Sequence, residues 1–184
     1  MSVCMNQETA NVGLSPVRRG RVIALSMTVS VGALLVAFPG PGADSGLLLI
    51  LIAGFAVGVA LLHWPLRKWG ERLSTMRYGL WLSALGWLLM LLSVLGGQGA
   101  LNLCPGAVLG GLGAGIAFGS GSKTIDTQER MAIAVGGALA LVATSCIAFY
   151  SAPGIERFCF ALALPIDLAL LGVVMIRIAE NEER

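Results

Sequence analysis

Long apolar runs alternate with short charged clusters along this chain, and the distance between clusters predicts the elements. Between Arg21 and Asp44 lie 22 residues without an ionised side chain, and between Asp44 and Arg67 lie another 22. Each is one membrane crossing, because about 20 apolar residues rising about 1.5 Å apiece cover a hydrocarbon core of roughly 30 Å. The first helix is predicted near 22–38 and the second near 47–66. Between them stands Pro39-Gly40-Pro41-Gly42, where proline lacks the N–H a helix needs. From Arg77 to Lys123 run 45 uncharged residues, enough for two crossings. These fall near 78–95 and 103–120, with the break at Gly96-Gly97-Gln98-Gly99. A fifth helix is predicted near 131–150 and a sixth near 158–178, the last interrupted by Pro165 and Asp167. The expected architecture is all-α: a tail over 1–20, a six-helix transmembrane bundle over 21–178, and a second tail over 179–184.

Composition agrees with this pattern. The chain is 57% hydrophobic and 12% charged, against roughly 45–50% and about 25% for soluble domains. A net charge of +2 with few aromatic residues excludes a nucleic-acid surface, so the expected surroundings are a lipid bilayer. Alternating crossings sort the basic residues onto two sides. One side receives Arg18, Arg19, Arg21, Arg67, Lys68, Arg72, Arg77, Lys123, Arg130, Arg177 and Arg184; the other receives only Arg157. The positive-inside rule then predicts a multi-pass protein of the cell (inner) membrane with both termini cytoplasmic. Trp64, Trp69, Tyr78 and Trp81 flank a basic cluster, as interface anchors do.

Candidate chemistry is sparse. Gly106, Gly110, Gly111, Gly113, Gly115, Gly119 and Gly121 crowd the fourth helix. Gly111, Gly115 and Gly119 recur every four residues, and Gly106 with Gly110 forms a second such pair, so smooth faces are expected where helices approach closely. Asp167 is the carboxylate nearest the middle of a crossing. Ionised in hydrocarbon it costs about 2.5–3.5 kcal/mol on insertion scales, so it is expected to be protonated, paired or turned to a polar cavity. Asp167 and, less strongly, His63 near the end of the second helix are the transport or coupling candidates. The four cysteines form no CxxC and have no metal-ligand spacing. There is no HExxH, phosphate loop, dinucleotide fingerprint or nucleophile beside a base. The sequence therefore predicts no enzyme, no metal and no cofactor.

Two segments carry a resemblance. Arg67-Lys68-Trp69-Gly70-Glu71-Arg72 leading to Arg77-Tyr78-Gly79 resembles the junction between helices two and three of the major facilitator superfamily (MFS). Leu109-Gly110-Gly111-Leu112-Gly113-Ala114-Gly115, followed by Asp126-Thr127-Gln128-Glu129-Arg130, is similar to that family's glycine-rich fourth helix and the loop before the fifth. Arg67 and Ser74 stand where the family's junction has glycines, and Ala107 stands where proton-coupled members carry an arginine. The resemblance implies a six-transmembrane-helix bundle like one half of a major facilitator fold, with 3+3 inverted helices. It also implies a gate network of Arg67, Glu71, Arg72, Arg77, Asp126, Glu129 and Arg130, and a small solute as cargo. Because that family has at least twelve crossings, a homodimer or a second six-helix half is implied as partner. The competing expectation is a non-transporting scaffold or accessory subunit packed into a larger membrane complex.

Overall fold

The computed structural model describes residues 15–37, 45–63, 72–97, 100–121, 125–150 and 154–182. Among them are six α-helices: α1 Pro16–Ala37, α2 Ser45–His63, α3 Leu73–Leu95, α4 Cys104–Gly119, α5 Thr127–Tyr150 and α6 Ile155–Glu182. A single 3-10 turn, Ala100–Leu103, leads into α4. All six are long and apolar enough to cross a bilayer. The described residues contain no strand, and the chain is an all-α, multi-pass membrane protein.

The helices reach further than the apolar runs alone. α1 begins at Pro16, six residues before the expected start, because Ser15 and Pro16 make a helix N-terminus. The Arg18 N–H donates to Ser15 Oγ at 3.4 Å and the Arg19 N–H to the Ser15 carbonyl at 3.0 Å. Proline suits the first position, where its missing N–H would have no intrahelical acceptor. α5 likewise starts four residues early, with Asp126 Oδ1 accepting from the Thr127 N–H at 2.6 Å and Glu129 in its first turn, where a carboxylate meets the positive end of the helix. α6 continues to Glu182 and does not break at Pro165, which lies inside it. Membrane helices tolerate an internal proline because packing and local adjustment re-satisfy the freed backbone groups. The first and last helices therefore extend beyond the apolar runs that predict them. The expected last turn of the second helix, 64–66, lies outside the described residues.

α4 packs along both α2 and α3. α1 packs along α5 and α6 and also meets α4, while α3 packs on α6. The interior divides into two layers stacked along the bundle axis. One gathers Leu34, Leu51, Trp87, Leu103 and Leu162; the other gathers Met27, Met76, Leu80, Ala114 and Ile176. Outward-facing positions stay apolar, for example Leu49, Ile52, Leu88, Leu139 and Val142, as expected where the solvent is lipid rather than water.

Candidate functional site

Alternation of the helices brings the start of α1, α3 and α5 and the end of α2, α4 and α6 to one end of the bundle, where three arginine–carboxylate pairs lie. Arg21 in α1 donates from Nη1 to Glu129 Oε1 in α5 at 2.8 Å. The two side chains are only 5% and 4% exposed, and Arg21 Nε donates to the Ser120 carbonyl at the end of α4 at 3.2 Å. One guanidinium thus joins three helices. Nearer the surface, Arg18 reaches Asp126 Oδ2 at 3.1 Å and Gln128 Oε1 at 3.2 Å. Across the bundle, Arg77 at the start of α3 pairs with Glu180 near the end of α6. The guanidinium of Arg77 also lies 5.3 Å from the ring centre of the adjacent Tyr78, within cation–π range.

Of the predicted gate residues, Arg77, Asp126 and Glu129 enter these pairs, each with a partner that sequence reasoning did not name: Glu180, Arg18 and Arg21. Arg72 and Arg130 are exposed and make no ion pair among the described residues. Arg67 and Glu71 lie outside the described residues, as does the side chain of His63, although His63 closes α2. The pairs join α1 to α5 and α3 to α6. Nothing in the local sequence marks Arg21 as the partner of Glu129, more than a hundred residues away.

The glycines of α4 serve two neighbours. A Cβ on Gly111 would stand 2.5 Å from the Leu51 carbonyl oxygen of α2, and one on Gly115 would collide with the Phe55 carbonyl. Gly119 completes this face, where a Cβ would stand 3.2 Å from Leu62 Cδ1. Gly106 and Gly110 face α3 instead, against Met90 and the Trp87 ring, and Gly113 would place a Cβ 2.5 Å from the Ser83 nitrogen. The partner helices contribute glycines of their own, Gly54 and Gly58 on α2 and Gly79 and Gly86 on α3. Their i, i+4 and i, i+7 spacing was the signal available in the sequence. Ser83 Oγ donates to the Gly110 carbonyl at 3.0 Å, a buried bond that locks the α3–α4 contact. The glycine faces are therefore filled from within the chain.

One strip of α1 is less covered. Gly32 approaches Leu48 of α2, while Gly136 of α5 approaches Val22 and Ser26. Leu25 and Val29, both half-buried, lie between these two contacts around α1 at 100° per residue, on its side between α2 and α5. Asp167 faces elsewhere. It is exposed near the middle of α6, away from the charged end. No group of three or more metal-ligating side chains occurs among the described residues. Compared with known proteins, the chain matches no family model, no curated protein and no solved structure.

Proposed function

We propose that this chain is one six-helix unit of a half-size, MFS-like secondary transporter that moves a small solute together with a second six-helix unit. The observation that carries this reading is the symmetry of the packing. Exchanging α1 with α4, α2 with α5 and α3 with α6 leaves the main helix pairs unchanged. α1 lies along α5 and α6 as α4 lies along α2 and α3, and α1–α4 and α3–α6 join the two triplets. Because each triplet has an odd number of crossings, the second enters the membrane from the opposite side, the arrangement of inverted-repeat transporters. α1 and α4 are then the central pair and α2 and α5 the flanks, and the strip of Leu25 and Val29 faces the route a solute would take against the second unit.

In this reading the end carrying the ion pairs faces the cytoplasm, as the basic-residue asymmetry requires. The Arg21–Glu129 and Arg77–Glu180 pairs keep each unit rigid while it rocks against the other. A test that needs no substrate uses cysteine accessibility. With the native cysteines replaced, Val29→Cys in intact membranes is expected to react with a membrane-impermeant thiol reagent at least about tenfold faster than Leu139→Cys on the lipid face of α5, since only a water-filled route brings the reagent to mid-depth. Equal inertness of the two positions from both sides of the membrane would remove the transport reading.

A further inference from the structure

We infer that the outward face of α6 is a self-association surface, on which Asp167 of one copy hydrogen-bonds with Asp167 of a second copy. Asp167 lies 12 residues into α6, a helix of 28 residues, and so close to its middle. The buried positions of α6, among them Phe158, Leu162, Pro165, Ala169 and Ile176, cluster on the opposite side of the helix at 100° per residue. Phe160, Leu171, Val174 and Ile178 share the face of Asp167 and are 63%, 53%, 55% and 54% exposed. The carboxyl thus sits at the centre of an apolar stripe that points away from its own bundle. No described side chain bonds to it, and the described arginines all lie near helix ends.

Hydrocarbon offers such a group no hydrogen-bonding partner, so a side chain from outside the bundle must cover it. The geometry favours a second copy. Leu164, Asp167, Leu171, Val174 and Ile178 follow the three-four spacing of a left-handed helix pair, in which one central polar position sets the register. Copies inserted by the same machinery share one orientation, so the closed pairing is a twofold about the membrane normal. That operation sets every residue of the seam opposite itself at equal depth. Two carboxyls brought together cannot both be ionised. An O–H donated by one carboxyl to an oxygen of the other satisfies the pair inside the seam. The inference holds whether or not the chain transports anything.

Oxidative cross-linking of single cysteines in native membranes tests it. Leu164→Cys, Leu171→Cys and Val174→Cys, each with Asp167 intact, are expected to give a band at twice the chain mass, while Leu88→Cys on α3 and Leu139→Cys on α5 give none. In bilayers at fixed protein-to-lipid ratio, Asp167→Leu is expected to lower the dimer-to-monomer equilibrium about tenfold, the scale of one or two interhelical hydrogen bonds. Asp167→Asn, whose amide both donates and accepts, is expected to retain dimers. No cross-link from any α6 position overturns the inference, as does a product whose added mass belongs to a different polypeptide.

Discussion

Arg21 and Glu129 illustrate how a buried charge is tolerated at the edge of a membrane bundle. Each is withdrawn from water, and each is matched, with the Ser120 carbonyl taking a second donor of the guanidinium. Removing one partner strands the other, which typically costs about 3–5 kcal/mol, whereas replacing both by apolar residues of similar volume is often neutral. Glu129→Ala is therefore expected to lower thermal stability in detergent far more than the double variant Arg21→Met with Glu129→Leu, measured by following unfolding with temperature. Glycine offers a second contrast at the same scale. Gly115→Ala forces a methyl into the Phe55 carbonyl and is expected to cost about 1–3 kcal/mol, as overpacking does. Gly137→Ala meets nothing within 4 Å and is expected to be neutral or stabilising by up to about 1 kcal/mol, because alanine is the better helix former. Paired melting curves of the two variants check this directly.

At the scale of the helix, α2, α4 and α3 form a slab in which backbones touch through facing glycines, while α5 rests mainly on α1. The accessibility difference expected between Val29 and Leu139 belongs here, since it depends on which side of α1 is left open between α2 and α5. Much of this level was legible beforehand. Charge spacing located all six helices, and the recurrence of Gly111, Gly115 and Gly119 every four residues marked one face of α4. The ends were less legible, because Arg18, Arg21, Arg77, Glu129 and Glu180 act as helical residues that pair across the bundle, whereas the sequence reading treated such charges as terminators. The direction of Asp167 was not legible at all. α6 is apolar on both its buried and its outward faces, so its pattern of hydrophobic positions contains no phase information. The same lack of contrast hid which helix each glycine face would meet.

At the scale of the whole molecule, the basic-residue asymmetry of the sequence predicts an orientation that reporter fusions can check. Reporters joined at Met1 and at Arg184 are both expected to report the cytoplasm, and opposite readings would require an odd number of crossings. The two faces singled out above also point in different directions. α6 meets α1 on the side of Ile23, 3.3 Å from the position a Cβ on Gly172 would take, whereas Leu25 lies about 160° around α1 from Ile23. A polypeptide that joined its own copies on both sides, always with the same face up, would propagate as an unending row across the membrane. A finite particle has room for one self-contact of this kind. If α6 supplies it, the proposed second six-helix unit is expected to be a different polypeptide, and particles isolated from membranes are expected to hold the two in equal numbers.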